Sequence, residues 1–510
     1  MPETQPPLVP LSAKVTPEIA AQFQAAGQNP RLQQQAASLN AMLEASEYLL
    51  INLMSQSYFY GTTTPVWSGR LPPNPQPGVI GHIEYSLAPY YLNHPGNNKI
   101  LIDLVWVWTK LLGFPLPRCL LTVNDSPTVS NYQNLIKGVT PPNAIVDVDG
   151  TLFGEETYEQ LDIGWMFAMG EYVFHYFRDT PDLAPFRTGT NVFPLQGSSA
   201  GQITFALVGD WGTGPYGPGE PSQAVMNSIQ KVKPAPDYII HLGDVYYAGA
   251  PLEEQLHLHF VWPAPWKGKS FTLNSNHEMY DGAWGYYQVG LDLSGPFSAQ
   301  KGCSYFALQC GTAAAGGPWT LLCLDSAYWS TSNMIMEGRL TNSQSPLPGN
   351  MAQQQFITGQ NFNPKKTIVV THHNALAYNG SGLIDDGNGN ALWAQLIQYL
   401  KAPPAAWYWG HVHNGIVYTT TSATGPTYCR CAGHGAIPFG SASGCQRAYP
   451  NPVAWYANTR NPLPAAYPRV LNGFVVLTIV TSGGQAGTVG ETFYNQDGTV
   501  GKPVFTYRLG

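Results

Sequence analysis

The chain has 510 residues, enough for two or three domains and a large buried core. Only 11% of them are charged, against about 25% in an average globular protein, and the formal net charge is −7. An acidic balance with no basic stripe argues against a nucleic-acid backbone as partner.

In chain order, residues 1–14 read as a disordered tail, and Met1-Pro2-Glu3-Thr4 lacks the basic and apolar blocks of a secretory signal. Residues 17–58 are Ala/Gln/Leu-rich and helical, with a break at Asn29-Pro30; residues 65–77 form a Pro-rich loop. The longest apolar stretch, residues 100–114, is interrupted by Asp103 and Lys110 and is too short to span a bilayer. No membrane partner is expected, and the expected location is the cytoplasm. Residues 147–152, Asp-Val-Asp-Gly-Thr-Leu, look like the nucleophile motif of haloacid dehalogenase-type phosphatases, but no convincing companion set follows, so a polar turn is expected. Residues 156–177 read as an amphipathic helix. Residues 15–195 thus make an N-terminal region of unassigned role with a helix-rich start, and residues 196–510 a second domain.

That second domain opens with a strand over Ile203–Val208, followed by Gly209-Asp210-Trp211-Gly212. Val225, Ile229 and Val232 then repeat at helical spacing, with Ser222 as the expected N-cap. A strand at Tyr238–Leu242 leads into Gly243-Asp244-Val245-Tyr246-Tyr247, about one βαβ unit after Asp210. His257 and His259 sit in a strand-like run, Leu256–Val261. Strands at Ser270–Leu273, Thr367–Val370 and Trp407–Trp409 precede Asn276-His277-Glu278, His372-His373 and Gly410-His411-Val412-His413. A helix is expected at Ala391–Leu400. Asp325, after Leu322-Cys323-Leu324, is expected to be a hydrogen-bonding structural residue. Residues 416–450 read as a Gly/Ser/Thr loop; its Cys429, Cys431 and Cys445 suit loop thiols or one disulfide. Alternating strands at Gly473–Val480, Thr488–Tyr494 and Pro503–Arg508, with a turn at Asn495–Gly498, complete a second sheet.

The polar residues therefore stand just past strand C-termini, where open sheets place ligands. Two carboxylates, a phenol, an amide oxygen and three imidazoles suit a pair of moderately hard metal ions. Such a pair activates water and clamps a phosphate.

These motifs resemble the calcineurin-like metallophosphoesterases, and more narrowly the purple acid phosphatases. The wider superfamily starts with Asp-x-His. Here Gly212 replaces that His, and the Tyr of Gly-Asp-x-x-Tyr, Tyr247, is present instead. The resemblance covers about residues 201–425. It implies an α/β (α+β) fold, a catalytic β-sandwich flanked by helices, with the N-terminal helical or mixed region added. It implies a ferric ion held by Asp210, Tyr247, His413 and bridging Asp244. A divalent ion (iron, zinc or manganese) would share Asp244 and take Asn276, His372 and His411. His277 would face the phosphate, stabilising charge or protonating the leaving oxygen. Counting Val-x-x-His from Val369 gives His372; counting from Val370 gives His373, which otherwise serves as a neighbour of the ligands or a phosphate contact. Ser275 stands where the family has Gly, and a positive φ there would strain the loop. The implied function is hydrolysis of phosphate monoesters on a small phosphate-ester substrate, by water activated between two ions. Phosphodiester hydrolysis is the alternative, and a non-catalytic metal-bound binding module the third reading. The oligomeric state is not legible.

Overall fold

In the computed structural model the described residues are 181–508, apart from 190, 199–200, 215, 217–218, 312–317, 385–390, 422, 447–451 and 464–468. Before them come residues 145–146, 148–153 and single positions between 158 and 176. The expected tail at 1–14 and the helices and loops expected over 17–77 lie outside the described residues.

Two compact units are present. One takes its described residues from Phe153–Leu183 and Tyr280–Gly282, together with Ile145; the other comprises Val146–Leu152, Ala184–Met279 and Ala283–Gly510. The described chain begins with a two-stranded ribbon, β1 (Ile145–Val146) paired with β2 (Leu152–Phe153). In the turn between them Asp149 Oδ1 accepts the Thr151 N–H at 3.0 Å, so the expected polar turn is present.

The second unit is built from alternating strands and helices. They are β3 (Val192–Leu195), β4 (Gln202–Val208), α1 (Pro221–Lys231), β5 (Tyr238–His241), β6 (Ser270–Thr272), β7 (Phe306–Cys310) and β8 (Trp319–Cys323). There follow α2 (Ala352–Gln360), β9 (Thr367–Thr371), α3 (Ala391–Leu400), β10 (Ala406–Trp409), β11 (Gly415–Tyr418), β12 (Tyr428–Ala432), β13 (Val453–Tyr456), β14 (Gly473–Val480), β15 (Thr488–Asn495) and β16 (Val500–Arg508). An eight-stranded sheet runs β13-β11-β12-β10-β9-β8-β7-β3, and a six-stranded sheet runs β16-β15-β14-β4-β5-β6. Strands β4, β5 and β6 are parallel, as are β8, β9, β10 and β12.

The two sheets share one core. Phe205, Leu207, Ile240 and Phe271 of the six-stranded sheet pack with Leu308, Leu321, Ile368 and Val370 of the other. Inside this sandwich Arg430 Nε donates to Glu491 Oε1 at 2.6 Å, and the Tyr408 hydroxyl donates to Glu491 Oε2 at 2.6 Å. This buried pair ties β12 to β15, and each partner satisfies the other's charge. The far face of the six-stranded sheet is covered by α1, whose Val225, Met226 and Ile229 meet Ala206, Val208 and Ile239. The apolar spacing of α1 thus does what the sequence pattern demands.

Three local expectations differ. Ser222 does not cap α1: the helix starts at Pro221 after Glu220, and the Ser222 hydroxyl donates to the Gly214 carbonyl at 2.7 Å. The His257–His259 run is a π-helical turn, Glu254–His259, rather than a strand. The expected loop at 416–450 contains β11 and β12, because the polar-looking Arg430 is buried against Glu491. Among the described residues no helix is long and apolar enough to cross a membrane.

Candidate metal centre

Parallel strands end in tight turns, and the turns carry the polar side chains. Asp210 follows β4 with φ 56°, Asp244 follows β5 with φ 74°, and His411 follows β10 with φ 65°. Left-handed backbone at non-glycine residues is uncommon and is characteristic of sites where side-chain direction is forced. Gly243 has a physical reason as well. Its φ is 95°, and a Cβ there would lie 2.8 Å from Ser275 Cβ and 3.0 Å from His372 Nδ1. Gly212, in place of the superfamily histidine, is also forced: a Cβ would meet Asp244 O at 2.6 Å and Val245 Cα at 2.7 Å.

Four donor atoms converge at one point. His372 Nε2 lies 2.8 Å from Asn276 Oδ1, 3.2 Å from His411 Nδ1 and 3.3 Å from Asp244 Oδ1, and His411 Nδ1 is 3.1 Å from Asn276 Oδ1. The far nitrogen of each ring sits against a carbonyl, His372 Nδ1 at Leu242 O (2.8 Å) and His411 Nε2 at Met336 O (3.1 Å). Carbonyls only accept, so those nitrogens carry the protons and the inward nitrogens present lone pairs. Both imidazoles are neutral: burial pushes His372 and His411 down to about 3, and each lies beside another histidine that lowers it further. Lone pairs facing one another this closely call for a cation between them. For ligands about 2.0–2.2 Å from a tetrahedral ion, neighbouring donors stand roughly 3.3–3.6 Å apart, near the spacing seen.

A second cluster adjoins the first through Asp244. His413 Nε2 is 3.5 Å from Asp210 Oδ1 and 3.7 Å from Asp244 Oδ2, the other oxygen of the carboxylate whose Oδ1 faces His372. Asp210 is held by the His411 N–H, 3.0 Å from both carboxylate oxygens. Burial, then the neighbouring Asp244, raises the Asp210 pKa well above the usual carboxylate range. Burial also acts to raise the Asp244 pKa, but the contacts with His372, His277, His413 and Asp210 together bring it well below the usual carboxylate range.

The structure brings Asp210, Asp244, Asn276, His372, His411 and His413 together. Of the tyrosine pair, the hydroxyl beside His413 is that of Tyr246, 2.8 Å from Nε2. Tyr247 supplies backbone contacts: its N–H donates to Glu253, and its carbonyl accepts from His277 Nδ1 at 2.5 Å. The His277 ring stacks on Tyr246 with centroids 3.8 Å apart. Burial lowers the His277 pKa to about 4.

His373 is fully buried, with Nδ1 2.9 Å from the Ser326 hydroxyl and Nε2 2.7 Å from the Ile335 carbonyl, and one of its ring nitrogens lies within 4.8 Å of donor atoms of His372 and His411, the position of a neighbour of the candidate ligands. Ser275 is not strained, since its φ is not positive. Its hydroxyl donates to Asp244 Oδ1 at 2.5 Å, lies against Glu278 Oε2, and accepts the His277 N–H at 3.0 Å. Asp325 is structural as expected, accepting from the N–H groups of Ala327 and Tyr328 at 3.0 Å and from Asn274.

Sequence reasoning missed Glu253 and Gly433. Glu253 accepts from the backbone N–H groups of Tyr247, Ala248 and Ala250, which fixes the loop after Asp244. Gly433 passes so close to Asp210 that a Cβ would lie 2.7 Å from Oδ2. Neither belongs to a motif.

Residues 203–415 match the family model described as calcineurin-like phosphoesterase. The chain contains a calcineurin-like phosphoesterase domain. The domain is that of a hydrolase, and its two-sheet α/β fold is the one the motifs implied. Solved structures similar to the chain include GAP50, the anchor in the inner membrane complex of Plasmodium, at 14% identity over 61% of this chain and 89% of that one, with a TM-score of 0.40. Purple acid phosphatase PPD1 from yellow lupin (Lupinus luteus) seeds is similar at 13% identity, over 61% and 54%, with a TM-score of 0.37. PhoD is similar at 12% identity, over 62% and 72%, with a TM-score of 0.40. No curated protein sequence matches the chain.

Proposed function

We propose that this phosphoesterase domain is a dinuclear-metal phosphatase, acting on small phosphate monoesters in the manner of purple acid phosphatases. The observation that carries the reading is the convergence of His372 Nε2, His411 Nδ1, Asn276 Oδ1 and Asp244 Oδ1, with the second Asp244 oxygen turned toward His413. Asn276, His372 and His411 would hold a divalent ion. Asp210, His413 and a phenolate from the Tyr246–Tyr247 pair would hold a ferric ion, and Asp244 would serve both. Bound there, two ions lower the pKa of water and neutralise phosphate charge.

The chain's own residues supply the rest. Asp210 and Asp244 set the spacing of the two sites. Ser275 and Glu253 keep the Asp244 loop in place. His277 Nδ1 donates to the Tyr247 carbonyl, which leaves Nε2 as the nitrogen that exchanges a proton with the leaving oxygen. No side-chain nucleophile is required, so no phosphoenzyme forms.

The test is turnover of an aryl phosphate in isotopically labelled water by metal-replete protein. One solvent oxygen should enter the released phosphate. A trapped phosphoenzyme, or cleavage of diesters with none of monoesters, would overturn the proposal.

A further inference from the structure

The first compact unit carries a second set of ligand-type side chains, none of them in the set above. Glu171 and His175 stand one helical turn apart, the spacing that puts two side chains on one face. Asp281 comes from the Tyr280–Gly282 stretch of the same unit. All three are almost completely buried, and their donor atoms lie within 4.8 Å of one another. His175 Nε2 is 3.4 Å from Glu171 Oε2 and 3.5 Å from Asp281 Oδ1.

The other ring nitrogen fixes the tautomer. His175 Nδ1 is 2.9 Å from the Asp182 carbonyl oxygen and 3.4 Å from the Asp182 carboxylate. The carbonyl accepts, so Nδ1 carries a proton and Nε2 faces the two carboxylates with either a second proton or a lone pair. Behind the ring, Gly282 has φ 64°, and a Cβ there would lie 2.3 Å from Asp182 O and 3.1 Å from His175 Nδ1. The backbone is therefore closed against the ring and holds its orientation. Metal-bound histidines are commonly oriented this way, by a carbonyl or carboxylate on the far nitrogen.

A charge-assisted N–H···O bond to a carboxylate has a length of about 2.7–2.9 Å, shorter than either separation here. An ion about 2.0–2.2 Å from nitrogen and oxygen ligands at tetrahedral angles holds them roughly 3.3–3.6 Å apart, the range that contains both. Charge points the same way: within the trio, a divalent ion with a neutral imidazole balances two carboxylates, whereas an imidazolium leaves one negative charge. Burial works to lower the affinity of His175 for a proton, yet Asp182, Asp281 and Glu171 raise its pKa well above the ordinary value, so a metal ion has to displace a proton from this ring.

We propose that Glu171, His175 and Asp281 bind one divalent transition-metal ion of the zinc or manganese type, separate in its ligands from the phosphoesterase centre. Two carboxylates with one imidazole suit such borderline ions. The ion fastens the helical turn of Glu171 and His175 to the Tyr280–Gly282 stretch.

The test is metal content by mass spectrometry on the full chain, purified with zinc or manganese. Glu171→Gln and Asp281→Asn should each carry one divalent ion fewer than the wild type. Folded variants with the wild-type number of ions would overturn the proposal. Should neither variant fold, the double variant Asp244→Ala/His411→Ala isolates the site. It should retain one ion, and its melting temperature should fall when a chelator removes that ion. If it binds no ion and its melting is indifferent to zinc and manganese, the cluster holds a proton instead. Loss of the phosphoesterase centre leaves this outcome readable, because the measurement counts ions and not turnover.

Discussion

A single methyl group at Gly433 tests how closely the Asp210 carboxylate is placed. Gly433 follows β12 and has no positive φ, so alanine fits its backbone. The obstacle is steric. The new Cβ would lie 2.7 Å from Asp210 Oδ2 and 3.0 Å from the Gly410 carbonyl carbon, where ordinary contact begins at 3.4 Å. The carboxylate is also fixed by the His411 N–H on both oxygens. Relief therefore requires a shift of about 0.7 Å, and a misplacement near 1 Å at a reacting centre costs up to about 100-fold in rate. Gly433→Ala should lose roughly 10- to 100-fold in kcat on an aryl phosphate and part of its metal, while remaining folded by circular dichroism. A variant with full metal content and kcat within about twofold of wild type would refute the placement of Asp210 in the centre.

In iron-loaded protein, Tyr246→Phe should abolish the visible phenolate band and Tyr247→Phe should keep it, because the hydroxyl 2.8 Å from His413 is that of Tyr246. The reverse result returns the ligand to Tyr247, as the motif spacing reads. His372→Ala should cost more bound metal by elemental analysis than His373→Ala, since the ring nitrogens of His373 are engaged by Ser326 and Ile335; the opposite order would refute that. Burial pushes the His434 pKa down to about 3, against about 6.5 in the unfolded chain. Between those values the unfolded state binds the extra proton, so stability present above about pH 6.5 is lost as pH falls toward 3, by up to about 5 kcal/mol. Urea unfolding across that window should show a shallower pH slope for His434→Gln, and an unchanged slope would refute the assignment.

The candidate donor set was legible because each member ends a short β-branched or aromatic run, and the runs are the strands that point at one end of the sandwich. Asp210, Asp244, Asn276, His372, His411 and His413 stand at those ends, while their roles as ligands, and the choice of His372 over His373, came from the family resemblance. The strands β11 and β12 were hidden because Arg430 and the cysteines give β12 a polar appearance that only its pairing with Glu491 resolves. The His257 turn was misread because three apolar residues alternate there as in a strand, while the backbone coils and His257 Nδ1 bonds to the Tyr246 carbonyl at 2.8 Å. Motif spacing names Tyr247, whereas the hydroxyl 2.8 Å from His413 Nε2 is that of Tyr246, a difference set by the local backbone and not written in the motif. Glu253 and Gly433 act through a backbone loop and a close approach, and neither leaves a chemical signature in the sequence.

The central claim is that Asp244 serves two metal ions at once, through Oδ1 toward His372 and Oδ2 toward His413. Its most direct test is the metal content of Asp244→Ala beside the wild type, with aryl phosphatase activity measured on the same samples. The variant should lose at least one ion and essentially all turnover, more than any single terminal ligand variant loses. An Asp244→Ala protein that keeps every wild-type ion, or that hydrolyses the ester at the wild-type rate, would contradict the account.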